Sequence, residues 1–288
     1  MSSAFHLQLL LFTVLSPAGA IGFVLGSAFA IGAPRSAPWL FRLQRCLIIP
    51  IFVCMLGLVI AATHLGTPRN ALYVLMGVGR SPLSNEMVAT IAFLALSWLF
   101  WLMLAMRRMP AVLAKGWLVV ASLAALVMVR ETSLAYSIAT IPAWNSPAAP
   151  WMFWTGACVL GCSLAWCTLR VAKAEVPRLG WWLLLIVQAA SAVAGVVAMM
   201  QYRASLSGAS SALGDALSLA PHYEGYVWGF AVLALLACAS GAWGLVSARA
   251  KDAAFPQASS VAVSLVFATA AVVIMRIPFY LMHMTVGL

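Results

Sequence analysis

The sequence predicts an all-α integral membrane protein, a bundle of about eight transmembrane helices, and three observations predict it. Of the 288 residues, 65% are hydrophobic and only 8% are charged, against about 45–50% and about 25% in a soluble domain. Several apolar runs exceed the roughly 20 residues that a helix needs to cross about 30 Å of hydrocarbon. The runs are continuously apolar, whereas a transmembrane barrel needs short strands of alternating polarity, and lipid offers the backbone no third way to satisfy its hydrogen bonds. The whole chain, 1–288, reads as one transmembrane anchor domain with no room for a soluble one.

Helices are expected at roughly 5–31, 44–65, 83–106, 113–136, 149–170, 179–202, 223–247 and 258–284. The first contains Ala18-Gly19-Ala20, which resembles a signal-peptide cleavage site. No Lys or Arg precedes Arg35 and the apolar run continues past Ala20, so it reads as a retained helix. The second ends at His64. Ser81-Pro82 starts the third in the usual way, a capping Ser with Pro at the first helical position. Between these two, Thr67-Pro68 opens and Gly77 closes a short helix with one apolar side, expected to lie along the interface. Its Arg69 and the following Arg80 are candidates for partner docking or for a lid. Gly77-Val78-Gly79 is not a phosphate loop, because the spacing and the Lys-Ser/Thr ending are absent.

Charge orients the bundle. The connections after helices 1, 3, 5 and 7 carry Arg35, Arg42, Arg45, Arg107, Arg108, Lys115, Arg170, Lys173, Arg178, Arg249 and Lys251. The opposite side carries Arg69, Arg80 and Arg203, and the last two of the 16 basic residues, Arg130 and Arg276, fall inside helices. Positive charge stays in the cytoplasm, so both termini are expected outside, in the periplasm. The net charge of +10 is therefore membrane topology and not a nucleic-acid footprint. Trp39, Trp117, Trp144, Trp151, Trp181 and Trp182 near helix ends fit an interfacial belt.

Ionisable groups inside a membrane are costly and are function candidates by default. Glu86 lies about one turn into helix 3, just after Ser84 and Asn85. Arg130 and Glu131 lie about six residues before the end of helix 4, roughly 9 Å deep at 1.5 Å per residue. Arg276 lies at a similar depth in helix 8, with Tyr280 one turn above it and His283 near the rim. With His64, these groups come from distant stretches yet all fall in the outer third, which predicts a site near the outer face. The bland alternatives are that rim residues snorkel to water, that Glu86 answers the helix dipole, and that the arginines pair with Glu131 and Glu86 to lock the bundle.

Other chemistry lacks its residues. Cys46, Cys54, Cys158, Cys162, Cys167 and Cys238 lie in or beside apolar runs and read as small packing residues. No Cys-x-x-Cys-His, no pair of mid-helix histidines and no cysteine cluster offers a haem or iron–sulfur site, so no metal or cofactor is expected on the chain itself. Any electron carriers belong to its substrate and to a partner. A small-solute transporter would need polar groups at mid-membrane and matching broken helices in its two halves, and none are apparent.

His64-Leu65-Gly66-Thr67-Pro68-Arg69 followed by Leu83-Ser84-Asn85-Glu86 resembles the membrane anchor subunit family of dimethyl sulfoxide reductase. Met128-Val129-Arg130, Ile141-Pro142-Ala143-Trp144 and Phe279-Tyr280-Leu281-Met282-His283-Met284-Thr285-Val286-Gly287 are similar to it in the same order, over nearly the whole chain. The resemblance implies eight helices with both ends outside, in the bacterial inner membrane. It implies an anchor for a molybdopterin catalytic subunit and an iron–sulfur subunit, and a substrate, menaquinol, whose electrons pass to the iron–sulfur subunit in anaerobic respiration. The chain would then be the quinol-oxidising part of an oxidoreductase complex, with terminal reduction performed elsewhere. The family's functional His and Glu match His64 and Glu86, with Arg130, Arg276, Tyr280, Ser84 and Asn85 expected in support. A related anchor serving a polysulfide or selenate enzyme is the nearest rival, since the terminal substrate never touches the anchor. A purely structural anchor without a quinol is another.

Overall fold

The computed structural model describes residues 3–63, 68–206, 210–211, 214–250 and 256–283. The expected spans are all present: α1 (Ser3–Gly32), α2 (Leu40–Cys46) with α3 (Ile48–Ala62), α4 (Pro82–Ala105), α5 (Ala111–Ala135), α6 (Ala149–Val171) and α7 (Arg178–Ser205). After a short α8 (Ala216–Leu219) come α9 (Tyr223–Ala250) and α10 (Ala258–Leu281). Eight spans are long and apolar enough to cross a membrane, and α2 and α3 share one of them. The largest departure from expectation is in that span, which starts at Leu40 and breaks at Leu47. Pro50 explains the break. It has no N–H to give the carbonyl four residues back, and it is tolerated in the first turn of a new helix. Residues 64, 65 and 284, expected in the second and eighth helices, lie outside the described residues.

Helices α1 and α6 form the centre, with 72% and 83% of their most apolar stretches buried. On one flank α3 and α5 lie against α1, and α4 lies against α5. On the other, α10 packs on α6, α1 and α9, and α7 joins α6 to α9. α1 therefore stands between the second span and the last. Small residues permit the close approach that drives helix association in lipid. A side chain at Gly19 of α1 would sit 2.6 Å from the Cys54 nitrogen and the Pro50 carbonyl of α3. One turn before it, Ser16 donates to the Cys54 carbonyl at 2.8 Å. Midway through the opposite flank, Gln188 Nε2 donates to Ser163 Oγ at 2.8 Å, and Ser163 meets Ser264 at 3.1 Å, which ties α7, α6 and α10 together.

The outward faces are as apolar as the interior. On α5, Leu118, Ala121, Ala125, Met128 and Thr132 are buried at helical spacing, while Val120, Leu123 and Val127 form an exposed row beside them. Apolar side chains thus face the surroundings as well as the neighbouring helices, the arrangement of a bundle solvated by hydrocarbon.

The two ends of the bundle differ. At the end that holds Arg35, Arg107 and Arg170, basic side chains cap helix C-termini, whose free carbonyls carry the negative end of the dipole. Lys115 Nζ donates to the carbonyls of Ile31 and Ala33 at 2.7 and 2.6 Å, closing α1. Arg42 Nε donates to the Ala172 carbonyl at 3.2 Å and Arg178 Nη2 to the Leu245 carbonyl near the end of α9 at 3.3 Å, whereas Arg170 Nε holds the Pro256 carbonyl of the turn before α10 at 2.8 Å. α4 ends in a paired reversal, with the Arg108 N–H on Met103 and the Arg107 N–H on Leu104. α6 ends alike, with Ala174 on Leu169 and Lys173 on Arg170. The turn residue in each is left-handed, Arg107 at φ 55° and Lys173 at φ 49°. Glycine usually fills that position, and another residue there costs about 1–2 kcal/mol.

Candidate functional site

At the other end the chain reverses between the second and third spans through a 3-10 helix, Pro68–Gly77, and a turn into α4. Pro82 occupies the first helical position, as expected, and Ser81 is extended at the N-cap, but its hydroxyl makes no capping bond. Asn85 takes over the task of holding the loop, its Oδ1 accepting the Gly79 N–H at 2.7 Å. Ser84 is buried beneath Gly77, where an added Cβ would come within 2.5 Å of the Ser84 hydroxyl. Ser84 and Asn85 thus seat the loop on α4, and the next residue is Glu86.

Glu86 is 2% exposed and points into the bundle. Its Oε1 has no hydrogen-bond partner. The Thr132 hydroxyl of α5 lies beside the carboxyl without closing a well-formed bond, and it too lacks a partner. Leaving a carboxyl buried and under-satisfied in a dry interior is expensive.

A second polar group enters from α10. Arg276 is fully buried, with its guanidinium 3.7 Å from the centre of the Phe153 ring and Nη2 donating to the Met152 carbonyl at 3.3 Å. Its Nε and Nη1 have no partner. One turn on, the Tyr280 hydroxyl donates to the Leu9 carbonyl at 3.2 Å and lies 3.1 Å from the Thr13 hydroxyl of α1. The start of α1 and the end of α10 therefore meet at this end. Tyr136, the residue that ends α5, stands between the two groups. Its ring is edge-on to Tyr280 with centroids 6.2 Å apart and stacked on Phe153 at 5.3 Å. Its phenol is within electrostatic reach of Tyr280, Glu86 and Arg276 together. Behind it, Trp144 stacks on Phe279 at 4.9 Å, meets His283 at 5.1 Å, and donates its indole N–H to the Phe279 carbonyl at 3.0 Å. The Ile141-Pro142-Ala143-Trp144 segment thus anchors the last turn of α10.

Of the residues singled out from the sequence, Glu86, Arg276, Tyr280 and Ser84 are buried at this end. Asn85 serves the loop. Arg276 does not pair with Glu86; among the described residues the ion pairs are Arg130–Glu131 and Arg203–Glu224. Arg130 does not join the cluster. Its side chain is 62% exposed on the outer face of α5, following the row of Val120, Leu123 and Val127, and it pairs with the largely buried Glu131. Two residues from Thr132 is about 200° around a helix, so the two side chains point opposite ways. Arg80 is exposed. Arg69 lies in the 3-10 helix, with its side chain outside the described set. His64 lies outside the described residues. Thr63, just before it, is held to α1 by a 2.9 Å bond from Gln8 Nε2. Thr132, Tyr136, Thr13 and Phe153 were not singled out from the sequence. Hydroxyls and rings within apolar helices carry no signal of their own there.

The cluster gathers polar groups of the kind that meet the edges of a ring-shaped molecule. It offers a carboxyl oxygen without a partner, two unused guanidinium nitrogens, phenols and stacked aromatic faces, in a wall otherwise apolar. Small-molecule sites are built this way, a few convergent polar groups in an apolar lining.

A chain of eight apolar spans whose buried ionisable groups gather at one end belongs to the multi-pass membrane proteins. A family model for the DMSO reductase anchor subunit (DmsC) matches residues 1–282. The sequence is also similar to two Escherichia coli K12 proteins. It is 30% identical over 295 residues to the C subunit of anaerobic dimethyl sulfoxide reductase, covering 100% of this protein and 99% of that one. It is 28% identical over 281 residues to the anaerobic dimethyl sulfoxide reductase subunit YnfH, covering 97% and 95%. The C subunit of the Haemophilus influenzae anaerobic dimethyl sulfoxide reductase is 28% identical over 219 residues, covering 76% and 77%. This protein belongs to the DMSO reductase anchor subunit family.

Proposed function

We propose that the protein anchors a molybdopterin oxidoreductase in the bacterial inner membrane and oxidises menaquinol at the Glu86 end of the bundle, passing the electrons to an iron–sulfur partner subunit. The basic end faces the cytoplasm by the positive-inside rule, so the site and both termini face out. The observation that carries this reading is the burial of Glu86 with an oxygen that no group among the described residues satisfies, at the same end as the equally buried Arg276 with its two unused nitrogens, Tyr136 being within electrostatic reach of both. A buried group of this kind persists where a ligand completes it.

The chemistry suits these residue types. Oxidising a hydroquinone to a quinone removes two electrons and two protons. The electrons leave to the partner. His64 accepts a proton from one hydroxyl, as an imidazole can, and Glu86 takes the other and relays it toward the outer water. Tyr136 and Phe153 give the ring aromatic faces, and Arg276 supports its far edge.

His64→Arg and Glu86→Lys are expected to abolish menaquinol-dependent reduction in the assembled complex. Turnover with a soluble dye donor that feeds the partner subunits directly is expected to stay intact. Normal quinol oxidation in both variants sinks the assignment.

A further inference from the structure

The basic end holds a cleft of about 500 Å³ that the quinol reading does not use. It opens between the α1–α2 connection, α2, the end of α4 and the start of α5, and its lining includes Arg35, Arg107 and Lys115 together with Leu40, Phe41 and Met109. No Asp or Glu lines it. Among the described residues, none of the three cations is in an ion pair.

We propose that this cleft binds the headgroup phosphate of an anionic phospholipid from the leaflet at the basic end. Three cations facing one cleft, with no counter-charge among the described residues, attract an anion. Lys115 is pinned in place by Ile31 and Ala33, and its ammonium keeps a third proton free. Arg35 and Arg107 are exposed, and a guanidinium fork suits a phosphate oxygen pair. Arg107 reaches the cleft from a left-handed turn that glycine would fill without strain, so a less favourable residue is kept where its charge is useful. The remaining wall is apolar. Phe41 is exposed at its edge, and Val112 and Leu113 continue the apolar surface along the start of α5. The occupant must therefore carry its phosphate at the level of the helix ends and hydrocarbon below it. Basic pockets between helices at a membrane surface hold lipid headgroups by this geometry.

The test uses the full-length protein, purified and stripped of lipid, with binding followed by native mass spectrometry. The ligands are phosphatidylglycerol, phosphatidylcholine and inorganic phosphate. The native protein is expected to prefer phosphatidylglycerol. The double variant Arg35→Gln with Arg107→Gly, which removes two charges and relaxes the strained turn, is expected to lose about 25-fold in affinity for it, about five-fold per cation. Its affinity for phosphatidylcholine should be unchanged. Where the double variant fails to fold, Arg35→Gln alone must lose about five-fold. Equal affinity for the two lipids, or an undiminished preference in the variants, overturns the proposal. Displacement of phosphatidylglycerol by millimolar inorganic phosphate also overturns it, since the cleft would then take a free anion.

Discussion

The two ends of this bundle handle charge in opposite ways. At the basic end, Lys115, Arg42 and Arg178 place their charges on carbonyls at or near helix C-termini, where each cation meets the negative end of a dipole, and Arg170 holds the Pro256 carbonyl of the turn into α10. At the other end, Glu86 and Arg276 lie inside the bundle with polar atoms unmatched. The first arrangement stabilises the fold. The second costs stability and makes sense only if something else benefits. Placing the same residue types at two ends of one apolar body separates structural charge from functional charge.

The largest expected effect is at Arg276. Replacing a buried ionic group by an apolar side chain of similar volume is often neutral or stabilising by about 1–4 kcal/mol. Arg276→Met is therefore expected to leave the protein folded with an unchanged or raised thermal midpoint, while the KM for menaquinol rises by about ten-fold or more. Arg276→Lys restores charge without the planar fork and should recover only part of that loss. A variant that unfolds but keeps quinol affinity would place Arg276 with the structural charges and erase the distinction between the two ends.

An intermediate effect is expected at Arg42. Its Nε bond to the Ala172 carbonyl closes the end of α6 on α2 from a partly exposed position. A charged hydrogen bond contributes about 1.5–3 kcal/mol when buried, and exposure brings this to about 1 kcal/mol. Arg42→Gln should lower the thermal midpoint modestly and leave quinol kinetics as they were. A change in KM without a change in midpoint would mean that the basic end communicates with the site.

Depth along each helix was legible in the sequence, whereas direction around it was not. Eight spans, their order and the level of Glu86, Arg276 and Tyr280 follow from run length and charge, because hydrocarbon thickness sets both. The facing of each side chain does not follow. In water a helix shows its inner side by an apolar stripe, but here the outer row of α5 is as apolar as the inner one. Arg130 and Arg276 therefore read alike from sequence, at one depth, and the fold sends one outward and the other into the core. Thr132 and Tyr136 were missed for the same reason. They share the inner face of α5 with Met128, a pattern visible only once α4 is packed against it and the Tyr280 ring meets Tyr136. The break at Leu47 was legible in principle, since Pro50 removes a helix bond, but a single apolar run masked it.

The smallest expected effect is the sharpest check on that point. Arg130 reads from the sequence at the same level as Arg276, so depth alone would assign it to the site. Its exposure on the outer face of α5 argues otherwise, and its partner is the adjacent Glu131. Adjacent residues stay near each other whether or not the charges attract, so folding gains little from this pair. Arg130→Gln should change stability by less than about 0.5 kcal/mol and menaquinol kcat/KM by less than about two-fold, measured side by side with Arg276→Met in the assembled complex. If instead the two arginine variants lose quinol turnover to the same extent, direction around α5 has no bearing on function. The ring would then have to be bound on the outer face of the helix, and the buried cluster would lose its role.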